Sequence, residues 1–211
     1  MFDRFAALCA LLSGPGALAY AALFISIVEG NTDTAPWFAV LLGGALLVVP
    51  VLIALYLRLR AVDEGLALLG FLLGLGGALG GVLHAGYELA AIETPPSQGY
   101  YPGPEAVSKG VLRYFVAGLA LLVIAWLLHR SPRFHRGLAY LAAFGGVLLV
   151  VIYFGRLFDF VKPGDYARLI PPILYGFVVH PLFYGWLGVT LWRTAGPSAT
   201  EAGAGAVSAA S

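Results

Sequence analysis

A single cysteine, Cys9, occurs in the 211 residues, so the chain cannot close an internal disulfide and holds no Cys-x-x-Cys redox or zinc motif. Charge is nearly as scarce. Asp, Glu, Lys and Arg together make up 11% of the sequence, against about a quarter in soluble domains. Lysine, asparagine and glutamine contribute only two, one and one residues. With a formal net charge of +1 and no basic stripe interleaved with aromatics, the chain offers no surface for nucleic acid. Phosphate-cradling glycine motifs are missing too, because the glycines lie inside apolar runs. No Gly-x-Ser-x-Gly occurs, and Ser13 and Ser108 have no histidine at comparable depth to act as base, so a nucleophilic triad is not supported.

Apolar surface fills the chain instead. Hydrophobic residues make up 60% of it and the mean hydropathy is +0.89, beyond the range of a water-soluble domain. Six apolar segments, residues 5–28, 37–57, 65–92, 110–128, 137–160 and 169–192, are each long enough to cross a bilayer, which takes about 20 residues of helix. Together they use up nearly the whole chain and leave no room for a domain in water. The expected fold is an all-α polytopic membrane protein, a six-transmembrane-helix bundle over residues 1–193. The Ala-, Gly- and Ser-rich tail at 194–211 has no periodic apolar face and is expected to be disordered.

Alternating the loops between two faces puts Arg4, Arg58, Arg60, Arg130, Arg133, Arg136 and Arg193 on one side, against Lys109, Lys162 and Arg168 on the other. That excess predicts cytoplasmic N- and C-termini. Its sharpest part, the basic loop from His129 to Arg136, reads as an orientation anchor that can also meet anionic lipid head groups. The preference for arginine and the shortage of Asn and Gln suit a GC-rich prokaryotic genome, and so a prokaryotic cytoplasmic membrane. Gly14-Pro15-Gly16 predicts an interruption in the first span. Ala17-Leu18-Ala19 after it has the small-residue form of a signal-peptidase site, but the preceding segment offers only Arg4 offset by Asp3, and the apolar run continues to Val28. A kinked first helix is therefore expected. The longest outer loop, residues 93–105, is rich in turn formers and carries Tyr100 and Tyr101, which suits a pocket cap or an interfacial anchor.

Shifted by 72 residues against itself, the chain lays Gly65-Leu66-Ala67-Leu68-Leu69 on Gly137-Leu138-Ala139-Tyr140-Leu141, each after a short Arg-bearing loop. The third and fifth helices thus look like counterparts, with His84 falling on Arg156 and Tyr87 on Asp159. With its six spans, these segments, and Leu127-Leu128-His129-Arg130-Ser131-Pro132-Arg133 leading into the second of them, the chain resembles a bacterial family of small membrane proteins called domain of unknown function 4386. The resemblance covers roughly residues 1–193 and implies a six-helix architecture without an assigned activity. It carries no functional residue onto this chain, and the His84 and Glu88 pair has no match in it.

Ionisable groups inside a span cost roughly 2.5–3.5 kcal/mol each on insertion scales, so each one points towards a role. Six stand out: His84 and Glu88 in the third span, Arg113 in the fourth, Arg156 and Asp159 in the fifth, and His180 in the sixth. At about 1.5 Å per residue, Glu88 and Arg156 lie roughly one turn from the outer end, His84 about 12 Å and His180 about 16 Å deep. The polar groups therefore gather in the outer half and leave the inner half apolar. His84 and Glu88, four apart, and Arg156 and Asp159, three apart, are spaced to pair on one helix face. Tyr87, Tyr114, Tyr153, Tyr175 and Tyr184 occupy comparable depths and supply either hydroxyls or an aromatic belt.

Four roles fit these groups. The first is binding or transport of a small polar or amphiphilic ligand in an outward-facing pocket, gripped at an anionic group by Arg113 and Arg156, with His84, Tyr175 and His180 in the pocket and Glu88 or Asp159 exchanging protons. The interrupted first helix and Pro171-Pro172 at the mouth of the sixth favour it. The second is a membrane hydrolase in which His84, His180 and Glu88 or Asp159 hold a zinc ion that activates water, although a lone His-x-x-x-Glu is not a His-Glu-x-x-His. The third is ligation of haem b by His84 and His180, with Gly74, Gly76, Gly77, Gly80 and Gly81 making room for the porphyrin; close helix packing explains the same glycines. The fourth is a purely structural membrane protein with local ion pairs. Membrane lipid and a small-molecule ligand are the expected partners. Pro181 frees the carbonyl of Phe177, which predicts a kink beside His180.

Overall fold

The computed structural model describes residues 1–28, 33–93, 112–158 and 169–195. Asp159, Lys109, Lys162, Arg168, the paired Tyr100 and Tyr101 and nearly all of the 194–211 tail lie outside the described residues. Among those described there is no strand, and six helices are long and apolar enough to cross a membrane. They are α1 (Phe2–Val28), α2 (Ala35–Leu59), α3 (Glu64–Glu93), α4 (Leu112–Arg130), α5 (Arg136–Leu157) and α6 (Ile170–Thr194). The protein is an all-α, six-helix, multi-pass membrane bundle, with one helix at each expected span.

The helix starts follow from local chemistry. Asp63 accepts the Leu66 N–H at 2.9 Å, and the His135 Nδ1 accepts the Gly137 N–H at 3.0 Å. Each satisfies a donor that the first turn of α3 or α5 leaves free. Pro36 stands in the first turn of α2, where its missing N–H costs nothing. The interruption expected at Gly14-Pro15-Gly16 is not there: α1 runs as one helix from Phe2 to Val28 with Pro15 inside it. Pro15 forfeits one bond, to the Leu11 carbonyl, and packing of α1 on both α2 and α6 holds the remaining ladder together. The chain instead departs from α geometry in α6, where Tyr175–Val179 forms a π turn between α-helical Ile170–Leu174 and His180–Thr194.

Each helix packs on its neighbours in sequence, and α6 returns to α1, so the six form a closed ring. Lipid provides no hydrophobic drive between helices, so close approach depends on small residues. Gly118 of α4 and Gly146 of α5 face one another so tightly that a Cβ on either would lie 2.9 Å from the other's carbonyl oxygen. At the end of the bundle that carries both termini the ring is filled by Leu59, Leu127, Leu128, Leu138, Leu187 and Leu191, all fully buried. There Arg58 of α2 pairs with Asp3 of α1 at 3.1 Å and also donates to the Thr194 hydroxyl of α6.

Candidate ligand cavity

Away from the termini the ring does not fill. It surrounds a partly open cavity of about 220 Å³ to which all six helices contribute. From α1 come Ser13, Gly16, Ala17, Tyr20 and Phe24, which share one helix face. Gly44 of α2 joins them, and a Cβ placed on Gly16 or on Gly44 would meet no atom within 4 Å. These two glycines therefore create volume, unlike Gly74 and Gly77 of α3, whose added Cβ would come within 2.6 Å of Leu52 and 2.9 Å of Ala117. The wall nearer the middle of the bundle is apolar: Val48, Leu52, Leu121, Ile124, Leu149 and Ile152.

The polar end is built around Arg113, the second residue of α4. Only 8% of its surface is exposed. Its Nη2 donates to the Tyr114 hydroxyl at 3.1 Å and the Tyr20 hydroxyl at 3.5 Å, and those two hydroxyls lie 3.3 Å apart. The guanidinium carbon sits 4.8 Å from the centre of the Tyr114 ring, with that of Arg156 at 6.0 Å from the same ring. Arg113 Nε and Nη1 are buried without any hydrogen-bond partner among the described residues. Among the described residues, no Asp or Glu lines the cavity.

Beneath lies an aromatic layer on α6. Pro181 cannot donate to Phe177, and the His180 N–H reaches back five residues to the Tyr175 carbonyl, producing the π turn. The His180 ring stacks on Tyr184 at 4.4 Å, and its Nδ1 is 3.3 Å from the Tyr175 hydroxyl. All three line the cavity.

Of the residues singled out from sequence, Arg113, Arg156, Tyr175 and His180 come together around the cavity, with Tyr114 and Tyr184. His84 and Glu88 do not. On α3 the inward position beyond Gly81 is taken by fully buried Ala85, and His84, turned about 100° from it around the helix, packs edge-on to Phe38 of α2 at 5.8 Å. No hydrogen bond or ion pair joins His84 to Glu88, although their spacing allows one. The ligand set His84, Glu88 and His180 is accordingly not assembled: among the described residues no three His, Cys, Asp or Glu gather at metal-binding distance. The haem pairing meets the same obstacle, since His180 faces the cavity and His84 does not, while neighbouring helices already occupy the space beside Gly74, Gly77 and Gly81. Glu88, the expected proton exchanger, does not line the cavity, and Asp159 lies outside the described residues. Tyr87 is 57% exposed, and Tyr153 packs at a tilt against Phe115 and does not line the cavity. The 72-residue register aligns Arg156, which lines the cavity, with His84, which does not.

Sequence reasoning missed Tyr20 and the two void-making glycines. A signal for Tyr20 exists: Ser13, Ala17 and Tyr20 recur at intervals of four and three, with Gly16 beside them, a stripe of small and polar residues in an otherwise apolar span. No protein-family model, curated protein or solved structure matches the chain, so no relative supplies a ligand for this cavity.

Proposed function

We propose that the protein binds a small amphiphilic molecule in its six-helix cavity, as a membrane-embedded receptor or carrier. The polarity gradient of the cavity carries this reading: two guanidinium groups and two phenol hydroxyls stand at one end, and aliphatic side chains without a charge form the other. A head group and an apolar body are the complement of such a lining. At about 220 Å³ the cavity is smaller than the roughly 300–1,000 Å³ that holds drug-sized ligands, which favours a short molecule.

The arginine excess at the termini end supports cytoplasmic termini in a prokaryotic cytoplasmic membrane, with the cavity in the outer half. Between the cavity and the cytoplasm stands the leucine-filled half of the ring, so carriage across the membrane requires the helices to rearrange there.

Gly44→Phe tests the reading, because a side chain at this position grows into open space and leaves the helix seams untouched. Wild type and variant would be purified in mild detergent and extracted with organic solvent, and the extracts analysed by mass spectrometry. The expected result is an amphiphile near one equivalent per wild-type chain, reduced at least tenfold in Gly44→Phe at equal helicity and elution volume. Equal amounts in both would sink the proposal.

A further inference from the structure

Arg113 holds a full positive charge inside a membrane span, and no described residue neutralises it. The groups around it are two tyrosine hydroxyls and the face of one of those rings, all uncharged. The nearest further charge on the cavity wall, Arg156, has the same sign. A buried cation in this setting ordinarily faces a carboxylate, and among the described residues no carboxylate lines the cavity.

The hydrogen-bond count points the same way. A guanidinium has five N–H bonds, one on Nε and two on each Nη. Nη2 serves the two tyrosines, which leaves the Nε bond and both Nη1 bonds, three donors, buried without an acceptor. Buried donors are satisfied in about nine cases out of ten or more. The tyrosine pair adds a fourth: Tyr20 and Tyr114 share one hydroxyl hydrogen between them, so the other is free to donate. Three donors of one guanidinium and a tyrosine hydroxyl, with no acceptor among the described residues and a second cation, Arg156, nearby, form a receptor for an oxyanion.

From this, and resting on the amphiphile reading above, we infer that the molecule bound in the cavity carries an oxyanion, a carboxylate or phosphate group, seated on Arg113 with the Arg156 charge nearby and the body of the molecule extending towards Leu52 and Leu149. An alcohol head accepts hydrogen bonds but leaves the charge uncompensated, and an ammonium head is repelled. The site therefore selects by charge before it selects by shape.

The test uses the full chain in nanodiscs of zwitterionic phosphatidylcholine, with radiolabelled decanoate as probe and empty nanodiscs as blank. Saturable binding is expected, with decyl phosphate competing within about tenfold of decanoate, and decanol and decyltrimethylammonium at least tenfold weaker. Inorganic phosphate is expected not to compete; if it competes as well as decyl phosphate, the oxyanion site stands and the amphiphile reading falls. Arg113→Met should lower decanoate affinity at least tenfold and decanol affinity much less, so that the preference for decanoate over decanol collapses. Its thermal midpoint should match or exceed that of wild type, because an uncompensated charge has left the span. Decanol binding as tightly as decanoate to the wild type, a comparison that needs no variant to fold, overturns the oxyanion and spares the amphiphile. If no alkyl probe binds saturably, both are overturned.

Discussion

Near the termini, Gly188 of α6 lies so close to α1 that a single added carbon would come within 2.8 Å of Leu11 and 3.0 Å of the Ala7 carbonyl oxygen, whereas Gly44 of α2, towards the other end, faces open space. Both residues sit in apolar helices of the same ring, and nothing in their immediate sequence distinguishes a glycine that seals from one that hollows. The difference lies across the interface. Gly188 is met by a leucine and a backbone carbonyl, while the groups opposite Gly44 stand back around the cavity. In this bundle one residue type therefore makes both the plug and the site, and its partner decides which.

The comparison can be broken most forcefully by giving both glycines the same methyl group. Gly188→Ala overpacks the α1–α6 seam and should destabilise the protein by about 1–3 kcal/mol. Gly44→Ala meets no atom and gains helix propensity, so it should stabilise by up to about 1 kcal/mol. Unfolding in SDS followed by circular dichroism would read both, and equal signs would mean that the two halves are not packed differently. A smaller effect comes from deletion. Leu187→Ala, in the filled half, should cost about 2 kcal/mol, the low end for a buried leucine because lipid already surrounds the separated helices with apolar matter. Val48→Ala only widens an existing space and should cost less than about 1 kcal/mol in the same titration. The smallest effect belongs to the tie across the termini end. Asp3→Asn removes the ion pair with Arg58, whose side chains are 42% and 13% exposed, and should change stability by less than about 1 kcal/mol, fading further in high salt.

The fold was largely legible because lipid imposes length and composition on every span, and six runs of about 20 apolar residues leave little choice. Half of the site was legible for a related reason: a charge such as Arg113 or Arg156 stands out where charge is expensive. The spacing of His84 and Glu88 was legible too, yet which side of α3 faces inward depends on the residues of α2 and α4 that press against it, and these put Ala85 inside. Proline misled in the same way. Pro15 left α1 as one helix, held between two neighbours, while Pro181 accompanied a π turn in α6. A missing N–H is a local fact, but how the backbone absorbs it is settled by tertiary packing.

The ring joins its first helix to its last, and that order has a consequence for synthesis. Every other seam unites consecutive segments, which can pair as they leave the ribosome, but α1 must wait for α6, which begins only at Ile170. At about 5–20 residues per second, the interval is roughly 7–30 seconds. During it the Ala7 and Leu11 flank of α1 faces lipid instead of Gly188. A nascent chain stalled before its sixth helix is therefore an open arc, and the cavity takes shape only in the last moments of the chain's own assembly.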